Sequence, residues 1–135
     1  MRILIDTNVI MDIIQRREPF FADSYQAFRK AIENDVECLI SASAATDIFY
    51  ILRKAFQSAQ KAKDRIEQLS QIVTFADVQS VDIHTALMRS MPDFEDAVVD
   101  AVAERNSASY ILTRNIKDFA GSSVPAITPT EFLKK

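Results

Sequence analysis

Met1-Arg2-Ile3-Leu4-Ile5-Asp6-Thr7-Asn8 opens the chain, and its reading decides the fold. Ile3, Leu4 and Ile5 form a short apolar run, closed at once by a carboxylate and two small polar residues. Such a run suits a strand buried on both faces of a parallel sheet. Val9-Ile10-Met11-Asp12-Ile13-Ile14 then has helical character, so Thr7 or Asn8 is the expected helix N-cap. Asp6 stands where strand passes into helix. In open α/β sheets, ligands bind in the crevice outside the carboxyl ends of the strands. A capping role alone is the competing reading of Asp6.

Working outward, 135 residues with 48% hydrophobic composition predict one domain over residues 1–135 with an ordinary core. No apolar run reaches the roughly 18 residues of a membrane span. No basic stretch followed by an apolar core marks a secretion signal, so a cytoplasmic protein is expected. Cys38 is the only cysteine, which excludes an intramolecular disulfide and a cysteine zinc site. Gly121 is the only glycine, which excludes glycine-rich phosphate loops. His84 is the only histidine, so any catalysis falls to carboxylates. The net charge of −3 argues against broad nonspecific nucleic-acid binding but leaves room for a local basic patch.

The remaining elements alternate. A helical stripe of Phe21, Tyr25, Phe28 and Ile32 runs through 20–34, and Glu37–Ile40 reads as a second strand. Ser41 or Ser43 caps a helix over 44–56, and an amphipathic charged segment continues over 57–71. Ile72–Phe75 is the expected third strand, and Ser80 or Asp82 starts a helix through Met88. Asp93 caps a helix from Phe94 to about Asn106, Tyr110–Leu112 is the fourth strand, and Ile116–Phe119 a single turn. Val124–Ile127 reads as a short fifth strand, with a last helix at Pro129–Leu133. Strands alternating with helices, without hairpin signals, predict an α/β fold: a three-layer parallel sheet with right-handed crossovers.

In that topology Asp6, Asp47 and Asp96 approach one sheet edge. Asp6 comes directly after strand one, Asp47 lies early in the helix after strand two, and Asp96 opens the helix before strand four. Thr113-Arg114-Asn115, with Asp118 nearby, lies just past strand four at the same edge. Converging carboxylates repel unless a cation intervenes. Mg²⁺ or Mn²⁺ takes oxygen ligands and activates water for attack on phosphorus, without histidine or a glycine loop. Taken singly, Asp93 reads as an N-cap, Asp96 falls opposite its helix's apolar stripe, and Asp100 is assigned to the surface. His84 reads as a surface or boundary residue, Cys38 as small and buried, Met88 and Met91 as core filler. Phe20, Phe21, Tyr25 and Phe28 read as core or dimer surface rather than base-stacking platforms.

Three stretches resemble the PIN domain, the small metal-dependent nuclease fold of VapC-type toxins. They are Ile5-Asp6-Thr7-Asn8-Val9-Ile10, Ser43-Ala44-Ala45-Thr46-Asp47-Ile48, and Asp93-Phe94-Glu95-Asp96-Ala97 with Ile111-Leu112-Thr113-Arg114-Asn115-Ile116-Lys117-Asp118-Phe119. The resemblance implies Mg²⁺ or Mn²⁺ held by Asp6 and Asp96 with help from Asp47. It also implies hydrolysis of RNA phosphodiesters, a dimer and a neutralising antitoxin. Two positions depart from the family pattern: the second acid, usually Glu, is Asp47, and the fourth, often Asp, is Asn115. Asp118 or Asn115 would support the site, together with Asp93, Asn8 and Thr113. Arg16, Arg53, Lys54, Arg114 and Lys117 are the candidate RNA contacts. Two rivals stay open: a non-catalytic RNA-binding or protein-interaction module on the same fold, and a phosphatase with an Asp nucleophile. The latter wants a second Asp two residues after Asp6, where this chain has Asn8.

Overall fold

The computed structural model describes residues 1–135. Five parallel strands form one sheet: β1 (Arg2–Ile5), β2 (Glu37–Ser41), β3 (Thr74–Ala76), β4 (Tyr110–Leu112) and β5 (Ala126–Ile127), in the order β3-β2-β1-β4-β5. β1 is central, with Ile3 opposite both Cys38 and Tyr110, and Leu4 opposite Leu39 and Ile111. Helices α1 (Thr7–Ile14), α2 (Phe21–Glu33), α3 (Ala42–Phe56) and α4 (Ala59–Ser70) fill the crossovers from β1 to β2 and from β2 to β3. Helices α5 (Ser80–Leu87) and α6 (Phe94–Arg105) carry the chain from β3 back to β4. A 3₁₀ turn (Ile116–Phe119) and α7 (Pro129–Leu133) complete the chain.

The period-2 geometry of a strand explains why the apolar run of β1 has no polar side. Ile3 and Ile5 point into one core with Val9, Ile10, Ile48 and Phe132, on the side of α1 to α4 and α7. Leu4 points into a second core with Leu39, Ile111, Val98 and Val102, on the side of α5 and α6. The three-layer parallel architecture expected from the alternation is therefore present. The chain winds outward from β1 through β2 to β3, then returns to β4 on the other side of β1. The crevice at such a reversal, beyond the C-terminal ends of β1 and β4, is where an open α/β sheet binds ligands.

Several boundaries and faces differ from those expected of the sequence, each for a packing reason. α1 begins at Thr7, and Asp6 itself is the N-cap, because its Oδ1 accepts from Thr7 N at 2.8 Å. β3 starts at Thr74, because the N–H groups of Ile72 and Val73 both bond back to the Leu69 carbonyl and close the end of α4. α2 is rotated from its aromatic stripe: Ser24, Ala27, Phe28 and Ala31 are buried, while Tyr25 and Ile32 are exposed. Small side chains on the inner face let α2 approach α1, where the Ser24 hydroxyl reaches Asp12. Phe21 and Tyr25 stack on one another at the rim, 5.5 Å apart.

Met88 is not core filler. It is the residue after α5, 86% exposed, because the inner face of that helix is Asp82 and Ala86. Met91 does pack against the second core. Asp100 is not a surface residue but fully buried. Its carboxylate accepts from Ser123 N and Val124 N, both at 2.9 Å, and its Oδ2 lies 3.2 Å from Arg89 Nε. The lone Gly121 has φ +86°, and a Cβ there would come 3.1 Å from the Ser90 carbonyl oxygen. The positive φ favours glycine at this position, and a side chain would also crowd the segment that follows α5.

Candidate active site

Two carboxylates of the expected set meet by topology. Asp6 leaves the end of β1, and Asp96 lies in the first turn of α6, whose start must face the same sheet edge because the helix runs antiparallel to the strand after it. Asp93 caps α6 by accepting from Asp96 N at 3.0 Å, which fixes that first turn. A cavity of about 580 Å³ opens at this edge. Asp6, Asp47, Glu95 and Asp96 line it, together with the hydroxyl residues Thr7 and Ser43. The carboxylates are not gathered into a closed three-ligand cage. Asp47 is an exposed residue of α3 on the cavity wall.

Asp6 is held from two sides. Its Oδ1 caps α1, and its Oδ2 accepts from the Thr113 hydroxyl at 2.8 Å. Thr113 is fully buried at the end of β4, and its oxygen in turn accepts from Asn115 N at 3.1 Å and Asn8 Nδ2 at 3.5 Å. Asn8 Oδ1 receives Arg114 N at 3.4 Å. Asn8, Thr113 and Asn115 therefore work as one scaffold that joins the turns after β1 and β4 and aims Asp6. The Asn115 and Asp118 residues themselves are exposed beside it.

Burial pushes the Asp6 carboxyl above the ordinary carboxylate range and Asp118 adds to the rise, against the Thr113 and Thr7 hydrogen bonds and the Arg114 charge. Asp96 is pushed up to about 7, first by burial and then by Asp93, Asp6, Asp118 and Glu95. The residues around Asp96 bring four negative charges to bear and no positive one of comparable effect. An all-oxygen donor set with uncompensated negative charge and open sides fits a hard divalent cation, which uses one or two carboxylates and keeps its waters.

Two residues near the site, Glu95 and Asp12, carry no assignment from the sequence, and Phe20, expected in the core or a dimer surface, instead stands exposed against Arg114. Glu95 lines the cavity beside Asp96, and its place in the same first turn was the available signal. Asp12, fully buried, accepts from Arg114 Nε at 2.6 Å. Phe20 lies beneath the Arg114 guanidinium, 3.9 Å from ring centroid to carbon. Of the five candidate basic residues, Arg114 and Lys117 follow β4 in the chain and line one surface hollow with Asp118, and the Arg114 charge acts on Asp6. Arg53 and Lys54 lie in the last turn of α3, roughly 16 Å along its axis from the end that faces the cavity. Arg16 lies past the far end of α1, where its guanidinium carbon sits 5.4 Å from the Phe21 ring centroid.

A parallel sheet in this order, with acids gathered beyond its central strand, defines a class of protein, and the family comparison agrees. Residues 2–117 match the PIN domain, and the chain belongs to that family. Ribonuclease VapC1 of Aquifex aeolicus (strain VF5) is 25% identical over 139 residues, covering 99% of this chain and 94% of that protein. The fold is shared with the structure of VapBC2 from Rickettsia felis bound to a DNA fragment from its promoter, with a TM-score of 0.73 at 14% identity over 95% of this chain and 98% of that one. It is likewise shared with VapBC-1 from nontypeable Haemophilus influenzae, with a TM-score of 0.70 at 16% identity over 96% and 99% of the two chains. No helix is long and apolar enough to cross a membrane.

Proposed function

We propose that this chain, acting as one domain over residues 1–135, is a divalent-metal-dependent endoribonuclease. We further infer that it is the toxin of a toxin–antitoxin pair and works in the cytoplasm. The observation that carries the reading is the meeting of Asp6 and Asp96 in one cavity beyond the C-terminal ends of β1 and β2, with Asp6 locked by Thr113. The likeness to Ribonuclease VapC1 supports RNA as substrate, and the VapBC neighbours support an antitoxin partner.

Asp6 and Asp96 would hold Mg²⁺ or Mn²⁺, with Asp47 and Glu95 within the same cavity. The bound cation supplies neutralisation of phosphate charge and a lower pKa for the attacking water. The chain's own residues do the positioning. Thr113 keeps one Asp6 oxygen fixed, Asn8 and Asn115 hold Thr113, and Arg114 and Lys117 offer positive charge beside the site. The water oxygen bonds to phosphorus, the bond to the 3′ oxygen breaks, and that oxygen takes a proton. The products are a 5′-phosphate and a 3′-hydroxyl.

Incubation of the purified chain with single-stranded or structured RNA should give cleavage with Mn²⁺ or Mg²⁺, and none in excess EDTA. Undiminished cleavage in EDTA removes the metal mechanism. Intact RNA under every divalent metal favours the non-catalytic rival instead. The phosphatase rival is weakened by Asn8, whose amide is engaged with Thr113 and Arg114 N.

A homodimer belongs to the same reading. Ile51, Ile83 and Phe94 are exposed on the cavity wall, and Tyr50 of α3 and Leu87 and Met88 at the end of α5 are exposed as well. A second copy is the occupant that would cover so much apolar surface. A monomer in sedimentation equilibrium at micromolar concentration would contradict it.

A further inference from the structure

Arg114, whose charge acts on Asp6, lines a separate cavity of about 230 Å³. Its guanidinium cannot turn freely. Nε donates to the buried Asp12 Oδ2 at 2.6 Å, and the Phe20 ring lies under one face. An ion pair on one edge and an aromatic ring on one face fix the plane of the group. Its two terminal nitrogens have no hydrogen-bond partner in the protein, and the side chain remains 23% exposed.

The other polar side chains lining that cavity are nearly all committed. Ser24 donates to Asp12, Thr128 donates to Glu131 and caps α7, and Thr130 donates to Asp23 Oδ2 at 2.7 Å. What remains uncommitted is the donor fork of Arg114 and Oδ1 of Asp23, an exposed residue in the first turn of α2. A bare phosphate suits this cavity poorly, because Asp12 already balances Arg114 and Asp23 is a further anion on the wall. A base with two acceptors on one edge and donors on another suits it well. Guanine offers O6 and N7 to an arginine fork, and its N1–H and N2–H to a carboxylate. Adenine sets an amino donor beside N7 and opposes the fork.

We propose that this cavity is a guanine-reading subsite for an RNA base next to the scissile phosphate, with Arg114 and Asp23 as the specificity-determining residues. Chain connectivity sets the placement: Arg114 is the residue after Thr113, whose hydroxyl holds Asp6. The subsite rests on the RNA-cleaving reading above and adds a base preference to it.

The test is binding by fluorescence anisotropy, in EDTA to stop cleavage, of uridine dodecamers carrying one central guanosine, 7-deazaguanosine or adenosine. The wild type should bind the guanosine strand about tenfold or more tightly than the adenosine strand, as one bidentate contact allows. The 7-deaza strand should lose most of that gain. Arg114→Lys should lose the preference, read as the ratio of guanosine-strand to adenosine-strand affinity so that any change in overall RNA affinity cancels. Asp23→Ala, at an exposed helix position, should lose the preference too, and it decides the matter if the Arg114 variant fails to fold. Equal binding of guanosine and adenosine strands by the wild type overturns the subsite, as does an unchanged preference in Asp23→Ala. Metal-dependent cleavage without guanosine-selective binding removes the subsite and leaves the ribonuclease reading standing. Guanosine-selective binding without cleavage under any divalent metal removes the ribonuclease reading, and with it the subsite's place beside a scissile phosphate, while leaving a guanine-binding cavity at Arg114 and Asp23.

Discussion

Asp6→Asn is expected to abolish RNA cleavage while the protein stays folded. Loss of a residue that merely orients a metal ligand typically costs about 10–100-fold in metal affinity or activity, so loss of the ligand itself should exceed about 100-fold. The fold should survive because Asn and Asp are equally good N-caps, and the retained side-chain oxygen can still accept from Thr7 N. The replaced oxygen becomes an amide N–H₂ facing the Thr113 hydroxyl, so one hydrogen bond is lost. Against this, a buried negative charge disappears. The lost hydrogen bond costs about 1 kcal/mol, and removal of the buried charge opposes it. Steady-state cleavage with Mn²⁺ and a circular dichroism melt check both halves. Expression in cells provides a second readout, with growth arrest by the wild type and normal growth with the variant. Wild-type turnover by a folded Asp6→Asn protein would take Asp6 out of the catalytic set.

Asp96→Asn is expected to stabilise the metal-free protein and to erase its response to metal. Asp96 ionises only at about 7 in the folded chain, against an ordinary value of 3.8. A carboxyl whose pKa is raised by folding favours the folded state when protonated. That advantage is full below about pH 3.8, shrinks as pH rises, and is gone above about 7. In EDTA the wild type should therefore lose stability between pH 4 and 7 relative to the Asn variant. The difference at pH 8 should reach about 1 kcal/mol after allowance for solvent around this half-buried group. Metal reverses the trend, because its binding requires the proton to leave and the bound cation stabilises the folded state by mass action. Adding Mn²⁺ at pH 8 should raise the wild-type Tm and leave that of the variant nearly unchanged. Equal Mn²⁺ shifts in the two proteins would return Asp96 to a surface role.

The central strand, the layer order and the gathering of acids at one edge were legible because they depend on local pattern and parallel topology. Ile3-Leu4-Ile5 has no polar alternate face, and parallel strands one, two and four must all release the chain at the same sheet edge. Asp96 was harder to read. A helical wheel sets it against the apolar stripe of α6, yet the first turn of that helix opens on a cavity rather than on bulk water. Asp100 and Asp12 were misread or overlooked for a different reason. Their partners are distant in sequence: Ser123 and Val124 for Asp100, Arg114 for Asp12. Only the folded chain brings those donors to a carboxylate, whereas the helical wheel sets Asp100 one turn after Asp96, opposite the apolar stripe, and so at the surface. The aromatic stripe of α2 misled because periodicity reports a face, whereas close packing on α1 selected the smaller residues Ser24, Ala27 and Ala31.

The claim on which the rest depends is that Asp6 and Asp96 together make a divalent-metal site. An anomalous difference map from crystals of the wild-type protein soaked in Mn²⁺ above pH 7 tests it most directly. A manganese peak in contact with carboxylate oxygens of both Asp6 and Asp96 is the predicted result. A fully Mn²⁺-exposed crystal with no peak between those two residues would contradict it.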